Sequence, residues 1–215
     1  MRVGVLGSGE VGQTLGSGFA EAGHDVVVGT REPDRPALAA WRDQVGRRIR
    51  LASFSDAARH GEWLVLAVGG GVAEAVVDLA GPAHLAGKLL LDVTNPLDFS
   101  RGMPPGLLFG MTDSVGERLQ RKLPNTRVVK VFNTVPRTLM VHPRLAGGGA
   151  RMLIAGNDAA AKAQTAEILA AFGWPGVIDV GGIEAARWLE ALVPLWVRVG
   201  ASMQNFDFCF GVATR

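Results

Sequence analysis

Short apolar runs along this chain alternate with longer segments in which apolar residues recur every three or four positions. The short runs predict buried strands, and the longer segments predict amphipathic helices. We predict strands over residues 2–6, 25–28, 49–51, 63–68, 88–93, 127–132, 151–155 and 177–180, and helices over 10–22, 36–46, 72–80, 114–122, 158–172 and 183–203. This alternation predicts an α/β fold of the Rossmann type, with a doubly wound, mainly parallel sheet and a small C-terminal α-helical extension.

The first predicted strand runs directly into a glycine-rich turn. In a nucleotide-binding βαβ unit the first glycine makes the turn, the second lets the backbone approach a pyrophosphate, and the third lets the helix pack on the strand. Glycine accounts for 29 of 215 residues, so the flanking strand and helix make the motif specific. The turn predicts a dinucleotide site whose phosphates bind at the helix N-terminus. Its predicted binding residues are Gly7, Ser8, Gly9, Glu10, Val11 and Gly12.

The second predicted strand ends in Gly29-Thr30-Arg31, where an NAD-binding chain normally carries an acidic residue. A hydroxyl and a guanidinium suit the 2′-phosphate of NADP, which a carboxylate would repel. Glu32 is the competing residue because it could hold a ribose, but it directly precedes Pro33. We interpret Glu32 as a helix-start or surface residue and predict that Thr30 and Arg31 bind NADP(H).

Composition restricts the class of protein. A hydrophobic content of 48% and a charged content of 20% predict a folded globular chain. The single cysteine, Cys209, excludes a disulfide framework and fits a reducing cytoplasm. Lysine and arginine are scattered, without the basic stripe of a nucleic-acid-binding surface. The chain starts without a signal peptide, and the apolar segment 188–203 is interrupted by charges. We expect a cytoplasmic protein without nucleic-acid, membrane or metal partners.

The residues available for catalysis exclude some chemistries. No tyrosine is present, so the Tyr/Lys pair of short-chain dehydrogenases is impossible. A carbonyl reductase usually needs a positioned acid, and we identify no certain one, although His142 falls near a possible site. Hydride transfer between two redox cofactors needs positioning instead, which favours a flavin-like acceptor. We expect positioning residues and close backbone approach at the strand ends, from Val68, Gly69, Gly70, Thr94, Asn95, Asn133, Thr134 and Val135.

We predict that residues 1–150 form an NADP-binding Rossmann domain. Residues 151–215 are predicted to form a small βαβα segment that packs on this domain and covers the substrate site. The long connection over residues 95–113 is rich in proline and glycine and follows a strand end. Ligands bind at that edge of open α/β sheets, so we interpret the connection as a wall or lid of the site, with a plain surface loop as the alternative.

The chain resembles the NADPH:coenzyme F420 oxidoreductase family nearly from end to end. Beyond the turn, the likeness includes two N-terminal features, the Val-Val-Gly-Thr-Arg run at 27–31 and Ser100-Arg101-Gly102. The C-terminal half contributes several further matches. These are Val128-Val129, Thr134-Val135-Pro136, Ala155-Gly156-Asn157-Asp158, Ala186-Arg187, Leu189-Glu190, Leu192, Pro194-Leu195 and Phe208.

This resemblance implies that hydride passes between nicotinamide carbon 4 and deazaflavin carbon 5. It implies that coenzyme F420, or another flavin, stacks on the nicotinamide and lies against residues 133–135 and the C-terminal helix near Met203. Family members form dimers, and the last helix carries more apolar surface than one core-facing stripe needs. We therefore expect a homodimer.

Three departures from the family fall on the acceptor side. Asn133 stands where well-studied members have histidine, and the glycine run 69–71 replaces a bulky Pro-Trp sequence. The segment 92–97 is the bacterial variant of one that differs in the archaeal members. The NADP half, which also resembles the cytosolic domain of membrane metalloreductases, is therefore the firmer part of the analogy. Three alternatives stay open: an NADPH-dependent flavin or ferric reductase, a reductase of small imines or carbonyls, and a non-catalytic NADP(H) sensor.

Overall fold

The computed structural model describes residues 1–46, 48–145 and 150–212. Its strands are β1 (Arg2–Leu6), β2 (Asp25–Gly29), β3 (Ile49–Ala52), β4 (Trp63–Leu66), β5 (Leu89–Asp92), β6 (Leu97–Asp98), β7 (Gly106–Leu107), β8 (Arg127–Lys130), β9 (Met152–Gly156) and β10 (Val177–Asp179). Its α-helices are α1 (Glu10–Glu21), α2 (Pro36–Val45), α3 (Phe54–His60), α4 (Ala73–Ala80), α5 (Pro82–Leu85), α6 (Val115–Lys122), α7 (Arg137–Met140), α8 (Ala159–Ala171) and α9 (Ala186–Met203).

Eight of these strands form one sheet, in the order β10-β9-β8-β5-β4-β1-β2-β3. Strands β8 and β9 pair antiparallel, and the other neighbouring strands of this sheet pair parallel. The order reverses at β1, which lies between β4 and β2, so a crevice opens beyond the carboxyl ends of these strands. The predicted Rossmann-type, mainly parallel sheet is confirmed.

Both faces of the sheet are buried, as its apolar strands require. Alternate residues of β1 point to opposite sides: Val3 and Val5 join a core that includes Phe19 of α1, whereas Leu6 joins a second core on the other face. Each of these four side chains is at most 1% exposed. Helices therefore cover both faces of the sheet and leave the strand ends open.

Side chains fix the start of several helices. Ser114 Oγ accepts a hydrogen bond from the Glu117 N–H at 3.1 Å and caps α6. Asp158 Oδ1 accepts from the Ala161 N–H at 2.7 Å and caps α8. Arg187 of α9 donates to Glu117 Oε2 at 2.8 Å, and this hydrogen bond holds the pKa of Glu117 below its ordinary value. The last helix is thus tied to α6 as well as to the sheet.

The structure also corrects the predicted elements. Three short helices, α3, α5 and α7, and the β6–β7 hairpin were not predicted, because each is too short to show a clear periodicity. The strand predicted over 127–132 ends at Lys130, since Phe132 has a φ of +61° that a strand does not allow. The strand predicted over 63–68 ends at Leu66, and the helix predicted over 183–203 is a 3₁₀ turn until Ala185.

The C-terminal helix α9 is only partly covered by the rest of the chain. Leu189 is buried, and Trp196 stacks on Phe208 with ring centroids 5.3 Å apart. The indole N–H of Trp196 also donates to the Phe208 carbonyl oxygen at 3.0 Å. Pro194 lies inside the helix, which is continuous on both sides of it. Within the described ranges, no helix combines the length and apolar character needed to cross a membrane.

Candidate active site

The glycine-rich turn lies against the ends of two strands. In the register of β1 and β2, Leu6 pairs with Gly29, and the Gly7 N–H donates to the Gly29 carbonyl oxygen at 3.1 Å. This register places the turn beside Thr30, whose hydroxyl accepts from Ser8 Oγ at 3.0 Å. The glycine-rich turn and the residues after β2 therefore form one continuous surface.

Helix α1 begins at this turn without a side-chain cap. Gly9 is its N-cap residue, and Gln13 Nε2 donates to the Ser8 carbonyl oxygen at 2.9 Å, which fixes the turn from within the helix. A Cβ atom built on Gly9 would meet no atom within 4 Å. The uncapped N–H groups at the start of the helix thus face open space that suits an anion.

A groove of about 740 Å³ runs from this turn along the carboxyl ends of the strands. Predicted cofactor-binding residues that line it are Gly7, Ser8, Gly9, Glu10, Val11, Thr30, Arg31, Val68, Gly69 and Asn95. Gly12, Gly70, Val135 and Met203 do not line it. Met203 is 56% exposed at the end of α9, so a cofactor contact there stays a prediction.

Two guanidinium groups lie at one end of the groove. Arg31 and Arg35 both line it, together with Glu32. Arg35 precedes α2, and its N–H donates to the Glu32 carbonyl oxygen at 3.3 Å, so a turn brings it back towards Arg31. Glu32 therefore lies in this turn and not in the helix, which begins at Pro36. Two cations against one carboxylate suit a 2′-phosphate better than a bare ribose.

Sequence reasoning missed Arg35 and the apolar wall of the groove. Phe54 of α3 and Val76 and Leu79 of α4 line the groove, and Leu79 is 58% exposed. An apolar wall of this kind suits the flat face of an adenine ring. The detectable signals were a second arginine four residues after Arg31 and an apolar residue on the outer face of a short helix.

Asn95 lines the opposite end of the groove, named here the amide end, and Asn133 lies behind it. Asn95 Nδ2 donates to the Asn133 carbonyl oxygen at 2.9 Å, and Asn133 Nδ2 donates to Asn95 Oδ1 at 3.1 Å. Asn133 Nδ2 also donates to the carbonyl oxygen of Leu189 in α9 at 2.8 Å. Asn133 itself is 5% exposed and does not line the groove, and its buried Oδ1 has no hydrogen-bond partner among the described residues.

The predicted positioning residues Thr94 and Thr134 do not line the groove, and neither does His142. Thr94 is 1% exposed, and its hydroxyl donates to Asp92 Oδ1 at 2.7 Å, so it is turned away from the groove. Thr134 is 6% exposed and does not line the groove either. His142 lies in a separate surface pocket, where its Nε2 is 3.4 Å from Glu21 Oε2.

The titratable side chains of the lining lie at the end of the groove beside the glycine-rich turn and the residues after β2, named here the phosphate end. Among the described residues that line it, Glu10, Arg31, Glu32 and Arg35 are the ionisable ones. No histidine, lysine or cysteine belongs to this lining. In the part of the chain that the structure describes, no three histidine, cysteine or carboxylate side chains are grouped as metal ligands. The groove can bind and orient a nucleotide, but it offers no acid beside Asn95.

Comparison with known proteins identifies the family of this chain. The family model described as NADP oxidoreductase, coenzyme F420-dependent, matches residues 2–96. A candidate F420-dependent NADP reductase from Arthrobacter sp. FB24, known from its crystal structure, is 43% identical over the whole of both chains, with a TM-score of 0.95. The chain belongs to the F420-dependent NADP reductase family.

Two curated relatives match more than nine tenths of this chain. The F420-dependent NADP reductase of Methanothermobacter marburgensis is 28% identical over 209 residues, which cover 93% of this chain and 92% of that protein. The Metalloreductase STEAP3 of Rattus norvegicus is 32% identical over 91% of this chain, but the chain spans only 38% of that protein's length. The family model itself ends at residue 96, before Asn133 and α9, so it covers the phosphate end of the groove and not the whole amide end.

Replacement of Gly9 tests the turn in this family member. Gly9→Val should weaken NADP(H) binding at least 100-fold, about 3 kcal/mol, because the new side chain fills space that the pyrophosphate needs. The melting temperature should stay within about 2 °C, since the Cβ meets no protein atom. Isothermal titration calorimetry and thermal melting measure the two effects.

Gly12→Val is the matched control. Its Cβ would lie 2.0 Å from the Gly7 carbonyl oxygen, so this variant should lose folding stability as well as binding. Tight NADP(H) binding by Gly9→Val would show that the turn does not seat the pyrophosphate.

Proposed function

We propose that this protein transfers a hydride reversibly between NADP(H) and coenzyme F420. The observation that carries the proposal is the amide end of the groove, where Asn95 is held in place by Asn133 and no ionisable side chain lines the groove beside it. A carbonyl substrate would need a proton donor there. A second redox cofactor needs only to be held in position. The names of the Arthrobacter and Methanothermobacter relatives agree with this acceptor.

The residues present fit both cofactors. The open space above Gly9 can accept a pyrophosphate, and Arg31 with Arg35 can neutralise a 2′-phosphate. At the amide end the groove is lined by the uncharged residues Val93, Asn95 and Leu97, which suit the flat nicotinamide and acceptor rings. The N–H groups at the start of α1 and the two guanidinium groups would replace the water molecules that hydrate the phosphates in solution.

When both cofactors are bound, nicotinamide carbon 4 and deazaflavin carbon 5 supply the hydride chemistry, and a proton is taken up for each acceptor molecule reduced. The chain's residues contribute binding and orientation. The start of α1 holds the phosphates, and the cations after β2 select NADP. Asn95 is fixed from both sides, since its carbonyl oxygen accepts from the Gly70 N–H at 3.0 Å and its side chain bonds to Asn133. The lining shows no proton donor here, so we infer that the proton comes from solvent.

We further propose how two parts of the chain are arranged around this site. Residues 1–150 form the NADP-binding domain, and residues 151–215 extend its sheet through β9 and β10 and cover the acceptor through α9. The contact between Asn133 and the Leu189 carbonyl oxygen supports this arrangement, because it brings α9 to the amide end of the groove. The single cysteine supports a reducing, cytoplasmic location.

Anaerobic mixing of the protein with NADPH and oxidised coenzyme F420 tests the proposal. The visible absorbance of the deazaflavin should fall as NADPH is consumed in equal amount. NADP⁺ with reduced F420 should give the reverse change. The Gly9→Val variant should show neither.

Other outcomes would identify the alternatives. Reduction of FMN or FAD without reduction of F420 would indicate a flavin or ferric reductase. The similarity of this chain to the rat metalloreductase is the reason for testing this alternative. Turnover of a small cyclic imine alone would indicate an imine reductase. Tight NADPH binding with no change in any acceptor would contradict enzyme function and indicate a sensor.

Arg31 should decide the choice between NADP and NAD. Arg31→Ala should weaken NADPH binding by about 1–3 kcal/mol, the scale of charge-assisted hydrogen bonds, and should leave NADH binding nearly unchanged. Arg50→Ala is the control, because Arg50 is an exposed arginine of β3 outside the groove. Equal losses for the two cofactors would show that Arg31 does not contact the 2′-phosphate.

We also propose that the protein is a homodimer built on α9. Trp188, Leu195 and Met203 are 55%, 53% and 56% exposed and repeat about every two helical turns, so they form one apolar stripe. Large exposed apolar patches commonly mark interaction sites. The chain's own tail covers Trp196 but leaves this stripe open.

Leu195→Lys should convert the dimer into a monomer, because a second copy would have to bury the new charge. Light scattering coupled to size-exclusion chromatography measures the mass. Val180→Lys, at another exposed apolar position, should leave the dimer intact. A wild-type mass of one chain at micromolar concentration would contradict the proposed dimer.

A further inference from the structure

Lys130, the last residue of β8, is fully buried and surrounded by three acceptors from two other segments of the chain. Its Nζ donates to Asp92 Oδ2 at 3.0 Å and to the Thr94 carbonyl oxygen at 2.7 Å, and it lies 2.6 Å from Glu190 Oε1. These acceptors match the three N–H donors of an ammonium group. Burial alone would lower the pKa of Lys130, but Asp92 and Glu190 raise it above its ordinary value, so the cation is kept.

Glu190 links this cation to a second helix. The side chain is 2% exposed, and Oε2 accepts from the Val115 N–H at 2.9 Å while Oε1 accepts from the Gly116 N–H at 3.2 Å. These N–H groups open α6, where the helix dipole favours negative charge. Lys130, Asp92 and Glu190, named here the buried charge cluster, therefore join β5, β8, α6 and α9.

Two paths lead from the buried charge cluster to the amide end of the groove. Its Asp92 carboxylate accepts from the N–H and the hydroxyl of Thr94 at 3.0 and 2.7 Å, which fixes the residue before Asn95. Its Glu190 directly follows Leu189 in α9, and the Leu189 carbonyl oxygen accepts from Asn133 Nδ2. Each path thus ends on one of the two asparagines that bond to each other.

Stability alone is a weak reason for such a cluster. Buried ion pairs often stabilise a fold no more than apolar side chains of the same size, since both charges lose their hydration. A buried ammonium does, however, accept only a few arrangements of its partners, because a misplaced carboxylate leaves a charge unpaired. The cluster therefore specifies geometry at the strand ends more than it adds stability.

We propose that Lys130, Asp92 and Glu190 are positioning residues that hold Asn95 and Asn133 in the arrangement that hydride transfer requires. This inference rests on the proposed function. None of the three lines the groove, so they act through the asparagines and touch neither cofactor. A displacement of about 1 Å at a reacting centre can lower a rate about 100-fold.

The double variant Lys130→Met/Glu190→Gln tests the proposal. It removes one positive and one negative charge, so the net charge of the cluster is unchanged, and both replacements are close in volume to the originals. Asp92 keeps its hydrogen bonds from Thr94. Glu190→Gln alone is the second variant, which leaves Lys130 paired with Asp92 and should fold even if the double variant does not.

The first readout needs no acceptor. Titrations compare NADPH with adenosine 2′,5′-bisphosphate, which carries the 2′-phosphate but lacks the nicotinamide half. The ratio of the Kd for NADPH to the Kd for the bisphosphate should rise at least fivefold in the double variant and at least twofold in Glu190→Gln. A merely structural cluster would weaken both ligands equally or neither, and an unchanged ratio in the variants that fold would overturn the proposal.

The second readout is the single-turnover rate of hydride transfer from bound NADPH to F420, which should fall at least tenfold in the double variant. Lys162→Met is the matched control. It breaks the ion pair between Lys162 Nζ and Asp179 Oδ2 (2.7 Å), which belongs neither to the buried charge cluster nor to the groove. This variant should change neither the Kd ratio nor the rate per folded molecule. A wild-type protein that reduces no acceptor would refute the proposed function, while the Kd ratio would still decide this inference.

Discussion

The candidate site depends on one close contact between backbone segments. A Cβ atom on Gly7 would lie 2.2 Å from the Ala67 carbonyl oxygen after β4, and one on Gly12 would lie 2.0 Å from the Gly7 carbonyl oxygen. Gly7 also has a φ of +130°, which other residues rarely adopt. Only glycine at both positions lets α1 start this close to the end of β1. The helix N-terminus then reaches the edge of the sheet where the groove begins.

The two ends of the groove are built by different physical means. At the phosphate end, the turn, the uncapped start of α1 and the arginines after β2 lie within about 30 residues of one another and act through charge and backbone N–H groups. The amide end is assembled from three distant segments, around Asn95, Asn133 and Leu189. The buried charge cluster beneath it gives these segments a common anchor. On the proposed function, the groups that would bind and select NADP are thus separate from those that would place the acceptor.

This difference explains what could be predicted from the sequence. The turn, Thr30 and Arg31 were identifiable because strand, turn and helix follow one another with a fixed spacing. The sheet followed from the alternation of apolar runs and amphipathic segments. Arg35 was missed because its place depends on a turn through Glu32, and Lys130 was interpreted simply as a strand residue. Its partner Glu190 lies 60 residues further along the chain, and no local pattern connects the two.

The most direct test of the account is a crystal structure of the protein with NADP⁺ bound. The account predicts the pyrophosphate over Gly9 at the start of α1, the 2′-phosphate in hydrogen-bond contact with Arg31, and the nicotinamide ring beside Asn95. A nucleotide bound elsewhere, or in this groove with the Arg31 guanidinium turned to solvent and no cation at the 2′-phosphate, would contradict it.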